Sequence, residues 1–235
     1  MLVLANIKFD FGSMVPYLSW FWDGTVLTVG ISFVTVVLGC LIGFVATLAR
    51  RSRFKALNWL STAYTQIIRG TPLLLQVYLW TLGFPQIGVK IPDMFGIARS
   101  GLLVTVIIAL AINSGAYISE IFRSGLNAVD VGQSEAARSL GLNSRQTMRY
   151  VILPQAVKTI LPALGNEFIM MIKESSMVST VGVADVMYQQ KIIQGATYRV
   201  FEPLIIIAII YFILTTLLTS VLSVLERRLN KDAKD

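Results

Sequence analysis

Leu204–Leu225 reads LIIIAIIYFILTTLLTSVLSVL, 22 residues without a charged side chain. At about 1.5 Å rise per residue, a helix over this stretch reaches about 33 Å, enough to cross a hydrocarbon core of about 30 Å. It is apolar on every face, which suits a helix surrounded by lipid. The rest of the chain agrees. Of 235 residues, 55% are hydrophobic and 14% charged, and the mean hydropathy is +0.69. Soluble domains carry roughly 25% charged residues, so much of this chain faces something other than water.

Four further spans are expected. Gly24–Ala49 is uncharged throughout, and Ser100–Ser119 is a second uncharged run. A span within Ala56–Phe84 is broken by Arg69 and Gly70-Thr71-Pro72, and one over Val151–Ile172 holds Lys158, Pro162 and Glu167. The expected fold is all-α and polytopic: one transmembrane domain over residues 1–235. Its five helices lie at about 24–49, 57–84, 100–122, 151–172 and 203–225, with a loop at 125–150. Lysines and arginines set the orientation. Thirteen lie on the side of Arg50–Lys55, Arg123–Lys158 and the C-terminal tail; six (Lys8, Lys90, Arg99, Lys173, Lys191 and Arg199) lie on the other. The richer side is expected in the cytoplasm, with the N-terminus outside and the C-terminus inside.

Composition also excludes chemistry. The net charge is +7 with a pI near 9.7, but the cations flank the apolar runs and form no single basic face, so nucleic acid is not the expected partner. There is no histidine and a single cysteine, Cys40, inside an apolar run. Intrachain disulfides, histidine-ligated metals and Ser-His or Cys-His catalysis are therefore out. No Gly-x-x-x-x-Gly-Lys phosphate loop is present, so ATP is not bound here by that device. The N-terminal stretch MLVLANIKFDFGSM lacks the basic start and apolar core of a cleavable signal, and the first span is expected to direct insertion.

The third connection, Gly125–Ala156, reads as a short amphipathic helix and a second one merging into the fourth span. Gln133, Ser134 and Asp130 are the candidate caps, and Gly141 is the expected stop. Ala136, Ala137 and Leu140 form a small apolar face of the kind that seats in another protein's groove. The pattern Glu135-Ala136-Ala137, three residues, Gly141, nine residues, then Val151-Ile152-Leu153-Pro154 resembles the EAA loop of ABC importer membrane subunits, departing only at Val151. Ile68–Leu74, Ala111–Tyr117 and Leu161–Phe168 resemble the polar amino acid permeases of the histidine/glutamine/arginine type.

The resemblance implies a type I importer permease in a bacterial inner membrane, driven by an ABC ATPase dimer that binds ATP and magnesium. It also implies a second permease subunit and an external solute-binding protein. The chain itself would hold no cofactor and perform no catalysis. Glu135, Ala136, Ala137, Leu140 and Gly141 would engage the ATPase.

Ionisable groups within a span cost roughly 2.5–3.5 kcal/mol on insertion scales, so each asks for a purpose. Glu167, beside Asn166, is the first candidate for holding an ammonium or cationic side chain. Met170 or Met171, and Glu174, fall on its face. Its alternative is a packing ion pair with Lys158 or Arg69. Asn113, Tyr117 and Glu120 line one face of the third span, the first two as substrate contacts and Glu120 as a gate or an ion pair with Arg123. Arg69 suits a substrate carboxylate or, with the break after it, a kink with an ion pair. The acids Glu120, Glu167 and Glu174 tilt the cargo toward a cationic or neutral polar amino acid. Gly39 and Gly43 form a Gly-x-x-x-Gly pair that permits close helix contact.

Overall fold

The computed structural model describes residues 9–94 and 96–231, with side chains as far as residue 229. Lys8 and Lys234 of the charge count, and the first eight residues of the N-terminal stretch, lie outside the described residues. Among those described, every regular element is helical. The long elements are α1 (Leu18–Arg50), α2 (Lys55–Arg69), α5 (Ser100–Asn127), α8 (Leu153–Glu174) and α10 (Phe201–Lys231). Between them lie α3 (Leu73–Tyr78), α4 (Phe84–Gln86), α6 (Val131–Ser139), α7 (Ser144–Thr147) and α9 (Val186–Thr197). Three helices are long and apolar enough to cross a membrane: Phe11–Arg50, where a 3-10 turn leads into α1, then Ser100–Asn127 and Phe201–Leu229.

The bundle is built on α1 and α5. A Cβ added at Gly43 would lie 2.9 Å from the Gly115 carbonyl, Ile118 Cγ2 and the Ser119 amide; one at Gly39 would lie 3.1 Å from Ser114 Oγ. The two backbones therefore touch, as the glycine spacing anticipates. Thr47 Oγ1 donates across the contact to the Ser119 carbonyl at 3.2 Å. Ile31, Leu73, Val77, Val106, Leu110, Met171 and Val178 close the main apolar core around this pair.

The break after α2 is present and its loose ends are tied. Pro72 has extended backbone (φ −61°, ψ 137°), which ends the helix. The carbonyls freed at the end of α2 are met by side chains: Gln76 Nε2 donates to Ile68 O at 2.8 Å, and Thr71 Oγ1 donates to Ile67 O at 2.9 Å. Backbone left open at membrane depth costs several kcal/mol per group, so Gln76 makes the kink tolerable. At the start of α5, the Gly101 N–H donates to Asp93 Oδ1 at 2.9 Å. That bond, and one from the Arg99 amide, hold the Asp93 carboxyl below the usual carboxylate range.

Residues 173–202, between the fourth and fifth expected spans, are themselves folded. Ser175–Val181 forms a 3-10 turn and α9 folds back onto α1. The Val186 amide donates to Thr28 Oγ1 at 3.1 Å, and Gly24 is the only residue type that admits the Val186 backbone, 2.7 Å from a virtual Cβ. Arg199 then fastens the end, bonding Glu202 at 2.6 Å and Asp10 at 3.1 Å.

The α1–α5 contact yields a prediction. Gly43→Ala should destabilise the protein by about 1–3 kcal/mol, because an inserted methyl must push backbone and not a flexible side chain. Gly30→Ala, with nothing within 4 Å of its virtual Cβ, should be near neutral. Thermal unfolding in detergent compares them; equal melting temperatures would mean that the two helices separate at no cost.

Candidate substrate site and coupling element

Glu167 points into the bundle from α8 and is 6% exposed. Its Oε1 accepts a hydrogen bond of 2.8 Å from Ser114 Oγ on α5. Neither Lys158 nor Arg69 reaches it: among the described residues Glu167 is in no ion pair, and Arg69 lies beside Glu120. The packing-pair alternative therefore fails on geometry. Among the described residues this buried carboxyl has one hydroxyl for company and no cation, and its ionised form would be costly there without a positively charged partner.

The other expected contacts separate into three places. Asn113 is 3% exposed, and its Nδ2 donates to Gln76 Oε1 at 3.0 Å. It thus braces the amide that plugs the kink. Tyr117 lies under the Arg69 guanidinium, 5.3 Å from the ring centre. Asn166 and Met170 lie on an exposed ridge of α8, Met170 being 45% exposed. Within this chain, Asn166 and Met170 thus face away from Glu167. One residue along a helix turns the side chain by about 100°, which carries Asn166 off the Glu167 face. Met171, fully buried, takes the inward position four residues on from Glu167.

Glu120 is an ion-pair centre. Arg50 of α1 bonds Oε1, and Arg123 bonds Oε2 through Nε at 2.9 Å and Nη2 at 2.6 Å. Arg69 approaches Oε2 only to 3.9 Å. Glu174, the last residue of α8, is partly buried and forms no ion pair among the described residues. Two contributors were missed in the sequence. Ser114 carried a weak signal, a hydroxyl in the small-residue run opposite Gly39. Gln76 carried a clearer one, a lone amide in an apolar helix just after a Gly-Thr-Pro break.

At the far end of α5, α6 stands out from the bundle as a defined short rod. Asp130 caps it, accepting from the Gly132 amide at 2.7 Å. Gly141, at φ +86°, ends it: Leu142 N–H bonds Ala137 O at 3.1 Å and Gly141 N–H bonds Arg138 O at 2.9 Å. This paired closure satisfies the last carbonyls of the helix. A capping box of Asn143 and Gln146 starts α7 two residues later. Ala137 is only 4% exposed, against the Met148–Ile152 turn, so the expectation that it shares an outward face with Ala136 and Leu140 is also corrected. What points outward is Glu135, Ala136, Val131 at 71% exposure and Leu140 at 85%.

Comparison with known proteins places the arrangement. Residues 35–231 match the family described as binding-protein-dependent transport system inner membrane component. The chain is 39% identical over 227 residues to the arginine transport system permease protein ArtQ of Bacillus subtilis (strain 168), covering 96% of this chain and all of that one. It is 38% identical to the putative glutamine transport system permease protein GlnP of Rickettsia bellii (strain RML369-C), over 91% of this chain and 94% of the relative. A crystal structure of an amino acid ABC transporter with histidines superposes with a TM-score of 0.88 at 48% identity, covering 94% of this chain and all of that one. An inward-facing MetNI methionine ABC transporter shares the fold, with a TM-score of 0.69 at 19% identity. The chain belongs to the binding-protein-dependent inner membrane transport family, among the permease subunits of amino acid ABC transporters.

Proposed function

We propose that this permease forms the translocation path for a cationic or neutral polar amino acid, with Glu167 holding the positively charged end of the cargo. The observation that carries the reading is the buried Glu167 carboxyl group, which among the described residues is bonded by Ser114 alone and is in no ion pair. An incoming ammonium supplies the missing charge. The relatives named for arginine and glutamine transport support the same class of cargo.

The assembly that goes with this reading has five spans in a bacterial plasma membrane, the N-terminus outside and the C-terminus in the cytoplasm. Two permease subunits meet two ATPases, and an external binding protein delivers the amino acid. The rod of α6 fits an ATPase groove through Ala136, Leu140 and Glu135. A helix capped at both ends transmits a displacement; a flexible loop would absorb it.

Each half of the reading has its own test. Glu167→Gln should raise the apparent KM for uptake roughly tenfold to a hundredfold in proteoliposomes, the scale of one charge-assisted hydrogen bond of about 1.5–3 kcal/mol. Assembly, followed by size exclusion, should stay intact. An unchanged KM removes Glu167 from the site, and uptake confined to glutamate or aspartate overturns the cargo class. For the rod, Leu140→Asp should reduce substrate-stimulated ATP hydrolysis by tenfold or more while the subunit still inserts. Gly141→Val, which forces a branched residue into a positive φ, should act in the same direction. Full coupled transport in both would sink the coupling role of α6.

A further inference from the structure

Asp185, at 0% exposure, is the most deeply buried acid among the described residues. It lies between the fourth and fifth expected spans and caps α9, its Oδ1 accepting from the Tyr188 amide at 2.9 Å. Its Oδ2 is buried and has no hydrogen-bond partner among the described residues, and the Tyr211 hydroxyl of α10 is in the same condition. The two are neighbours: the Asp185 charge bears on Tyr211, and Thr28 of α1 lies beside the same hydroxyl. Around them Phe21, Val186, Ile193 and Ile207 form an apolar cluster where α1, α9 and α10 meet.

With Asp185 ionised, the cluster is one hydrogen short. Thr28 Oγ1 donates to the Gly24 carbonyl at 2.9 Å and accepts from the Val186 amide at 3.1 Å, so toward Tyr211 it can only accept. The Tyr211 hydroxyl has a single hydrogen. Given to Thr28, that hydrogen leaves two bare oxygens, Tyr211 Oη and Asp185 Oδ2, facing each other. A protonated Asp185 supplies what is missing: Oδ2–H donates to Tyr211 Oη, Oη–H to Thr28 Oγ1, and the run ends on Gly24 O. No cation takes the place of this proton. The turn Ser175–Val181 carries no charge, α1 offers Asp23, which is exposed, and Tyr17 adds a phenol to the cluster. α10 offers Glu202, held by Arg199, and its other charges lie from Glu226 onward at the far end. On α9 itself the Lys191 ammonium is engaged by Ser179 O at 3.1 Å. Burial pushes the Asp185 carboxyl up to about 7, against amide bonds from Tyr188 and Met187 and the attraction of Lys191.

We propose that Asp185 is carried protonated in the working transporter, and that its proton latches α9 between α1 and α10 at the end of the bundle opposite α6. The Val186 backbone lies against Gly24 with no room for a methyl between them, so the first turn of α9 is wedged directly on α1. An ionised carboxyl in that apolar cluster is costly. The cost is relieved when the first turn of α9 moves toward water, which opens its contact with α1. Acidic conditions therefore close this end of the bundle and alkaline ones loosen it. The latch goes beyond the cargo reading, since it depends neither on Glu167 nor on which amino acid is carried.

The folded protein keeps up to about pH 7 a proton that a free aspartate releases near about pH 4. Asp185 thus adds stability at low pH that is lost as the pH rises through about 7. The test is amide hydrogen exchange of residues 186–197 in the complete transporter, at pH 5.5 and pH 8, corrected for the intrinsic exchange rate. Protection of the wild-type segment should fall by roughly thirtyfold between the two. Asp185→Asn keeps the cap and supplies the hydrogen at every pH, so its protection should stay constant. Asp185→Ser, a cap that does not titrate, should likewise show no pH dependence. ATP hydrolysis by the wild type should fall relative to Asp185→Asn over the same range. Variants that follow the wild-type profile would make Asp185 a plain helix cap and overturn the latch. Should neither variant assemble, the wild type decides alone: protection of residues 186–197 equal at both pH values overturns the proposal.

Discussion

The close approach of α1 and α5 is the constraint on which the rest of the bundle hangs. Gly39 and Gly43 leave no side chain between the helices, so α5 presents Ser114, Gly115 and Ser119 directly to the α1 backbone. Each remaining element then fastens to this pair by a particular polar bond. α2 is held by Ser61 to Ala46 O and by Tyr64 Oη to Ile112 O at 2.6 Å. α8 is held by Glu167 to Ser114, α3 by Gln76 to Asn113, and α9 by the Val186 amide to Thr28. In a bilayer, apolar contact does not distinguish one helix partner from another, since lipid tails are as apolar as leucine. Packing of small residues and interhelical hydrogen bonds must set the arrangement. The bundle uses both.

The same scarcity of water governs the irregular parts. A bent chain frees carbonyls, and each must find a donor. At the Gly70-Thr71-Pro72 break the donors are Thr71 and Gln76; at the end of α6 they are the amides of Gly141 and Leu142. These solutions differ mechanically. The Gln76 amide is itself held by Asn113, so the kink is coupled to α5 through side chains that can rearrange together. The α6 closure is made by backbone alone around one glycine in the left-handed region, and it has no second arrangement without unwinding the rod.

Much of this was legible in the sequence because it depends on local chemistry. Uncharged length marked the helices, Pro72 and Gly141 marked a break and a stop, and Gly39 with Gly43 marked the contact. α9 was not legible. Its residues 186–197 mix polar and apolar types as a surface connection does, and only the packing against Gly24 and Thr28 reveals that they lie inside. The site was half legible for a related reason. Glu167 announces itself by its cost, whereas Ser114 is one hydroxyl among several and gains meaning only from what α8 brings opposite. The direction of Met170 against Met171, or of Ala136 against Ala137, turns on about 100° of helix rotation that hydropathy does not fix.

Helix α5 also separates two kinds of electrostatics. Its Ser114 side meets a carboxylate without a cation. Its Asn113–Tyr117–Glu120 side meets three arginines around one carboxylate, leaving positive charge in excess. Helix α5 thus keeps a buried carboxyl group and an arginine-rich cluster on different faces, so that neither neutralises the other within the chain.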